Sequence, residues 1–339
     1  MPDAAPRRED APAAPDVTDL GGGVRRIDAR LGGRPEVVAV YLHALADGGV
    51  ALIETASGAT VPTVRAALDA LGIGPRDVRA IVVTHVHLDH AAGAGTLAAW
   101  SGAPVVVHPA GARHLADPTR LWRSAARLYG DAMDPLFGPM EPVPADALRA
   151  VEPGPLALGG SRFEVVHAPG HANHHLALLS DAGDAYVGDA AGILLPGVPR
   201  IRPALPPPET DLAAAADTCA RLAAHRPRRL HLTHYATVDG DDAVQAHLAD
   251  VPRRNAAWAD VVRASLRAGE DAPATVRRLE ALEDAELAAV GADPDRWADD
   301  KRSSDAAMTA AGLRRALRTH EGLGGPDADA GGAGAPGTA

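Results

Sequence analysis

The chain has 339 residues and a formal net charge of -11, so it lacks the basic excess with which nucleic-acid-binding proteins neutralise phosphates. No stretch approaches ~18 uninterrupted apolar residues, which predicts a protein without a membrane-spanning helix. The single cysteine, Cys219, excludes an intrachain disulfide, and the N-terminus lacks the apolar region of a secretory signal, so we expect a cytoplasmic protein.

The first half of the chain mixes strand-like and helix-like patterns. Three closely spaced strand-like runs come first, which favours antiparallel neighbours, and buried strands separated by helices follow them. The predicted strands are 23–31, 36–43, 49–54, 78–85 and 103–109. The predicted helices are 61–72, 93–102 and 111–129.

The second half repeats this mixture after a proline-rich break. The predicted strands are 162–170, 174–180, 184–190 and 227–235, and the predicted helices are 209–225 and 241–268. Two sheet-forming halves, each carrying helices, predict an α/β fold in which two sheets pack between helices as an αβ/βα sandwich.

Composition divides the chain into four segments. The alanine-, proline- and glycine-rich ends, 1–16 and 323–339, have the composition of disordered chain. The main domain is predicted to span 17–268. Only helical patterning remains in 269–322, so we expect a small C-terminal helical extension that either caps the sandwich or mediates a homodimer.

A dense group of metal-binding residue types follows the predicted strand 78–85. The motif H-x-H-x-D-H comprises His85, His87, Asp89 and His90. In an extended segment, residues two apart point to the same side, so the first two histidines can bind one ion together. Four such residues within six positions at a strand end favour a metal site over a solvated polar loop.

Three further residues of these types also end predicted strands. His171 follows a Pro-Gly pair, Asp189 ends a Gly-Asp pair, and His234 ends the strand before Tyr235. Strand ends can converge at one edge of a sandwich, and the seven side chains suffice for two ions with an open coordination position. Imidazole and carboxylate ligands suit zinc, iron or manganese, and no thiolate set is available for a closed structural zinc site.

The order and context of these motifs resemble those of the metallo-β-lactamase fold superfamily over roughly residues 22–265. The resemblance implies a four-layer αβ/βα sandwich with a dinuclear metal site at one edge. It implies first-metal ligands His85, His87 and His171, second-metal ligands Asp89, His90 and His234, and a bridging carboxylate at Asp189. The chain departs from the family at ETASG (54–58), where many hydrolytic members carry an Asp-Thr-Gly-like turn that supports the site without binding metal.

The resemblance implies a hydrolase that uses two divalent metal ions, with zinc favoured and iron or manganese as alternatives. We expect a metal-bound hydroxide to attack a small ester, lactone or thioester. Asp89 either orients this nucleophile or receives its proton, or acts as a ligand alone. The expected partner is a small-molecule substrate, and neither nucleic acid nor a membrane.

Four residues are candidate substrate contacts, each with a structural alternative. His175 lies beside the His171 turn, where a packed histidine is the alternative. Tyr235 follows His234 and is either a hydrogen-bond donor to substrate or a structural tyrosine. Arg200 and Arg202 lie in a loop of six prolines after Asp189, and they either meet an anionic group or are solvated.

An oxidoreductase that holds a single iron and acts on persulfides is the alternative function. A di-iron centre with a flavin domain fits less well, because the motif carries His87 where that branch typically has glutamate. A non-enzymatic module with a decayed site is disfavoured because none of the seven expected ligands is missing.

Overall fold

The computed structural model describes residues 16–291 and 306–323, and within them the chain forms two β-sheets of seven and six strands. In both sheets the strands follow one another in sequence order. Consecutive strands are therefore neighbours throughout, which keeps the connections short.

The first sheet changes from antiparallel to parallel along its width. Its strands are β1 (Val17–Gly21), β2 (Val24–Asp28), β3 (Ala39–Ala44), β4 (Val50–Ile53), β5 (Val78–Val82), β6 (Val105–Val107) and β7 (Leu148–Ala150). The pairs from β1 to β4 are antiparallel, as the close spacing of the early runs predicts. The pairs from β4 to β7 are parallel, because helices form the connections there.

The second sheet is antiparallel except for one pair. Its strands are β8 (Gly154–Leu158), β9 (Ser161–His167), β10 (Leu176–Ser180), β11 (Asp184–Gly188), β12 (Arg229–Leu232) and β13 (Thr237–Asp239). The parallel pair is β11–β12, whose connection contains a long helix. It follows that β9, β11 and β12 all run in one direction, with β10 opposed to them.

Helices cover the outer face of each sheet. The α-helices of the described residues are α1 (Val61–Ala70), α2 (Leu88–Ala91), α3 (Ala94–Ser101), α4 (Pro109–Ala116), α5 (Thr119–Tyr129), α6 (Met133–Phe137), α7 (Leu212–Ala224), α8 (Asp241–Arg267), α9 (Ala272–Val290) and α10 (Ala306–Glu321). Val64 and Leu97 pack α1 and α3 on the first sheet, and Leu222 and Leu248 pack α7 and α8 on the second. Between the sheets lies a third apolar layer that includes Tyr186. This four-layer αβ/βα order confirms the predicted fold class.

The last helices build an apolar core of their own. Trp258 of α8, Leu279 of α9 and Leu313 of α10 meet there, together with Leu205 from the segment before α7. The prediction of helices in 269–322 is met by α9 and α10, while 292–305 lie outside the described residues.

Two backbone hydrogen bonds join the two sheets at the edge where β5 and β12 end. The Leu176 amide of β10 donates to the Thr84 carbonyl just past β5, at 2.8 Å. The Ala39 amide of β3 donates to the Thr233 carbonyl just past β12, also at 2.8 Å. Both lie next to predicted metal ligands, so the sheets are fastened together at that edge.

Some sequence-based element bounds were wrong. The helix predicted over 111–129 is two helices, because Pro118 disfavours helical geometry at Asp117 before it. The short strands β1, β7, β8 and β13 were not predicted. Most of the two predicted disordered ends, 1–15 and 324–339, lies outside the described residues. Among the described helices, none combines the length and apolar character needed to cross a bilayer.

Candidate metal centre

The topology of the sandwich brings the predicted ligands to one edge. His171, Asp189 and His234 follow β9, β11 and β12, and because these strands run in one direction their carboxyl ends share an edge. The H-x-H-x-D-H motif follows β5 of the facing sheet, next to the bonds that join the sheets. The seven side chains predicted as ligands therefore lie together in one cluster.

Three imidazoles form the first group. The Nδ1 atom of His87 lies 3.0 Å from the Nε2 atom of His85 and 2.8 Å from the Nε2 atom of His171. Three nitrogen atoms thus converge on one small volume, as they would around a single cation.

Asp89, His90 and His234 form the second group. The Oδ2 atom of Asp89 lies 3.3 Å from His234 Nε2 and 3.7 Å from His90 Nε2. His90 is fully buried, whereas the Asp89 side chain is 24 % exposed and that of His234 is 12 % exposed. Solvent therefore reaches the cluster from the side of Asp89 and His234.

Asp189 lies between the two groups and presents a different oxygen to each. Its Oδ2 atom is 3.4 Å from His171 Nε2. Its Oδ1 atom is 3.5 Å from His90 Nε2 and 3.6 Å from His234 Nε2. This is the arrangement expected of a carboxylate that bridges two ions.

Two buried atoms at the centre test whether a metal fits. His90 Nε2 and Asp189 Oδ1 have no hydrogen-bond partner among the described residues. Unpaired buried polar atoms are costly, and a cation between them would satisfy both. The donor set of imidazole nitrogens and carboxylate oxygens suits zinc, iron or manganese. The residues therefore fit divalent metal ions.

Hydrogen bonds behind the cluster orient the ligand imidazoles. His171 Nδ1 donates to the Ala204 carbonyl at 2.8 Å, and His234 Nδ1 donates to the Val37 carbonyl at 2.9 Å. Because these Nδ1 atoms carry the proton, both Nε2 atoms present a lone pair to the cluster. Such partners fix the tautomer and the ring orientation of metal-binding histidines.

Glu54 supports two more candidate ligands, His90 directly and His85 through Thr84, and it was not among the residues predicted from the sequence. Its Oε1 atom accepts from the Thr84 hydroxyl at 2.5 Å, from the Thr233 hydroxyl at 3.1 Å and from His90 Nδ1 at 3.3 Å. The Thr84 hydroxyl is in turn 3.0 Å from His85 Nδ1. The sequence feature that could have indicated this role is the position of Glu54, an acidic residue directly after the apolar strand β4 and at the start of the ETASG stretch that departs from the family pattern.

The two groups differ in their affinity for protons. Burial, reinforced by the neighbouring imidazoles, holds the pKa of His85 well below its usual range and lowers that of His87 to about 3. Burial also disfavours the charged form of His90, but the carboxylates of Asp189 and Asp89 outweigh it and raise the pKa of His90. The first group therefore resists protonation, whereas the carboxylates favour positive charge at the second, whether that of a proton or of a metal ion.

His174 supports the motif backbone between two ligands. Its Nε2 atom accepts from the Val86 amide at 3.1 Å, and its Nδ1 atom lies 3.6 Å from Glu209 Oε2. The sequence did not predict this contact, since only the folded chain brings His174 to Val86.

His175 and Tyr235, two of the predicted substrate contacts, occupy packed positions. The His175 ring is fully buried and stacks on His85 with centroids 4.8 Å apart, and its Nε2 atom accepts from the Asp189 amide. Tyr235 is 2 % exposed in the layer between the sheets, with the Arg26 guanidinium over its ring. Substrate contact by either residue stays a prediction.

The two predicted arginine contacts face the C-terminal helices. Arg202 is buried, and its Nε atom donates to Glu283 Oε1 of α9 at 2.6 Å. Arg200 forms an ion pair with Glu286 of α9 and donates to the Glu283 carbonyl at 3.2 Å. The structure does not bring either guanidinium into the ligand cluster, and substrate contact by them also stays a prediction.

Comparison with known proteins identifies the family. A sequence model of the Metallo-beta-lactamase superfamily matches residues 33–234, more than half of the chain. The chain belongs to the metallo-beta-lactamase superfamily, as the motif resemblance predicts.

Individual relatives show the fold and its extent. The metallo-beta-lactamase fold-containing protein ST1585 of Sulfurisphaera tokodaii is 32 % identical over 131 residues, which are 38 % of this chain and 49 % of that protein. The match therefore spans about half the length of this curated relative.

Solved structures share the architecture. The metallo-beta-lactamase family protein TTHA1429 from Thermus thermophilus superposes with a TM-score of 0.66 at 22 % identity, covering 90 % of this chain and 95 % of that one. MEM-A1, a subclass B3 metallo-beta-lactamase from a soil metagenome library, gives a TM-score of 0.52 at 20 % identity, with 70 % and 93 % covered. At these identities the likeness shows a shared fold. The family and the ligand cluster together support a metal-dependent hydrolase in general.

Proposed function

We propose that this chain is a hydrolase of a small ester, lactone or thioester and that it uses two divalent ions, with zinc favoured. The position of Asp189 carries the proposal, because its two oxygens face two separate three-residue groups. One ion alone would leave one of these groups without a cation to bind.

The bound ions and Asp89 would have different roles in hydrolysis. Two bound divalent ions would polarise the substrate carbonyl and lower the pKa of the attacking water toward neutrality. Burial raises the pKa of Asp89, but His90 and His234 outweigh it and hold that pKa below its usual range. An ionised, partly exposed Asp89 accepts a hydrogen bond from water and orients it, so we assign this role to Asp89 in addition to metal binding.

Charges at the accessible side favour a small substrate. Asp89 lies at the exposed face, and Glu209, whose side chain is 36 % exposed, lies beside His174 at its rim. These carboxylates and the net charge of -11 repel a polyanion such as nucleic acid. We therefore propose a small-molecule substrate, with neither nucleic acid nor a membrane as partner.

Metal analysis combined with an activity panel tests the proposal. The purified chain is analysed for bound metal and assayed against esters, lactones, acyl-glutathiones and phosphodiesters. We expect two zinc ions per chain, hydrolysis in one of the first three classes, and loss of both in Asp189→Asn. Asp181→Asn, an exposed carboxylate paired with Arg162, is the control and should behave as wild type.

Two results would overturn the proposal. A chain that binds no metal, even when zinc is supplied, would remove its basis. One iron per chain, with oxygen uptake on a glutathione persulfide and no hydrolysis, would establish the persulfide-oxidising alternative.

A further inference from the structure

The segment 193–210, here called the strap, links the metal centre to the C-terminal helices. It folds back on itself, since the backbones of Ile193 and Arg202 exchange hydrogen bonds of 2.9 Å in both directions. One side of this loop contacts residues of the ligand cluster, and the other side contacts α9 and α10.

On the metal side, the strap contacts one histidine from each group. The Ala204 carbonyl accepts from His171 Nδ1 at 2.8 Å. The Leu194 amide donates to the His234 carbonyl at 2.9 Å. A shift of the strap would therefore move the acceptor that orients His171 and the backbone that carries His234.

On the helix side, α10 holds the two neighbours of Ala204. The Thr309 hydroxyl donates to the Pro203 carbonyl at 3.2 Å. Leu205 is 2 % exposed within the core of the C-terminal helices. Gly312 lies so close that a Cβ atom there would clash with the Leu205 carbonyl oxygen. Of three consecutive residues, Pro203 and Leu205 therefore contact α10, and Ala204 between them contacts His171.

Helix α9 holds the adjacent part of the strap, at Arg200 and Arg202, through charged side chains. Glu283 is 3 % exposed and its carboxylate accepts from Arg202, itself 7 % exposed. Arg200 pairs with Glu286 one turn further along the helix. Because a buried pair that loses one partner leaves an uncompensated charge, these contacts hold the strap firmly against α9.

We propose that α9 and α10 are positioning elements for metal binding, which act on His171 and His234 through the strap. The proposal rests on the proposed metal site and gives the C-terminal extension a role there. The imidazole orientation that suits a metal depends on its outer hydrogen-bond partner, and the helices fix where that partner lies.

Gly312→Ala tests the proposal by pushing the strap away from α10. Thr309→Val removes the hydroxyl that holds Pro203 at nearly constant side-chain size, and Thr309→Ser keeps that hydroxyl. Arg315→Ala, on the exposed face of the same helix, is the matched control. The measurements are zinc affinity by competition with a chromophoric chelator and the visible spectrum of the cobalt-loaded protein, with circular dichroism and thermal unfolding of the metal-free protein beside them.

We expect Gly312→Ala to weaken zinc binding by about tenfold or more and to alter the cobalt spectrum, as loss of an outer partner does. Thr309→Val should weaken binding less, and Thr309→Ser and Arg315→Ala should match wild type. Folded variants that lose thermal stability but keep wild-type affinity and spectrum would overturn the proposal. If Gly312→Ala does not fold, the comparison of Thr309→Val with Thr309→Ser decides. A wild-type chain that binds no metal would instead refute the proposed function.

Discussion

Glu54 accepts three hydrogen bonds beside the candidate metal centre, so its replacement tests how the candidate ligands are held. In Glu54→Ala the donors on Thr84, Thr233 and His90 lose their shared acceptor. A buried donor without an acceptor costs about 1–3 kcal/mol, so the free energy of unfolding should fall by at least about 3 kcal/mol. Glu54→Gln keeps a carbonyl oxygen but loses the charge, and should cost about 1 kcal/mol.

Zinc affinity should fall by about 10- to 100-fold in both variants, because His90 loses its charged partner. Urea unfolding of the metal-free protein measures the free energy of unfolding, and competition with a chelator measures the zinc affinity. Glu141→Gln, at an exposed position, is the control. If both Glu54 variants unfold at the wild-type urea concentration and bind zinc with wild-type affinity, the support that we assign to Glu54 is refuted.

Three further predictions concern other parts of the molecule. Asp184 is buried with a pKa lowered to about 2: burial opposes the shift, but bonds from His231 and Arg229 outweigh it. Its stabilisation of about 2 kcal/mol should be complete above pH ~4 and lost as the pH falls through ~2, and urea titrations in which Asp184→Asn shows the same acid dependence as wild type would contradict this. Burial raises the pKa of the Cys219 thiol to about 12, so a thiol reagent at neutral pH should label it only after unfolding, and rapid labelling of the native protein would contradict its placement. Removal of bound metal by a chelator should lower the thermal unfolding temperature, and added zinc should restore it. If free zinc was at 100 times its dissociation constant, the stability lost is about 2.7 kcal/mol. An unchanged temperature would count against a metal bound to the native state.

The sequence predicted that the seven candidate ligands would lie together, because the pattern is local and the geometry is general. His85 and His87 are two apart at the end of a strand, and His171, Asp189 and His234 each follow one. Those strands share a direction, so their ends meet at one edge. The alternation of strand and helix periodicities also predicted the layers of the fold, although not the short strands β1, β7, β8 and β13.

The supporting contacts could not be predicted, since they join residues far apart in the chain. Glu54 and His90 are separated by 36 positions, and Arg202 and Glu283 by 81. No periodicity relates such pairs. The sequence around Arg200 and Arg202 would be the same whether they contacted a substrate or, as in the structure, residues of α9. The break between α4 and α5 could have been predicted, because Pro118 is visible in the sequence and proline commonly marks a helix boundary. The prediction of one helix over 111–129 followed the periodicity and ignored that proline.

The backbone bonds between the sheets, from Leu176 to Thr84 and from Ala39 to Thr233, lie at the edge that holds the candidate ligands. At the opposite edge the Asp47 amide donates to the Gly159 carbonyl at 2.9 Å, so the β3–β4 and β8–β9 turns are bonded as well. Because the two sheets are bonded at both ends of their strands, opening them about either edge would break these bonds, and the spacing between candidate ligands from different sheets is protected from relative motion of the sheets. The amides of Leu176 and Ala39 should be among the last in the protein to exchange their hydrogens with solvent.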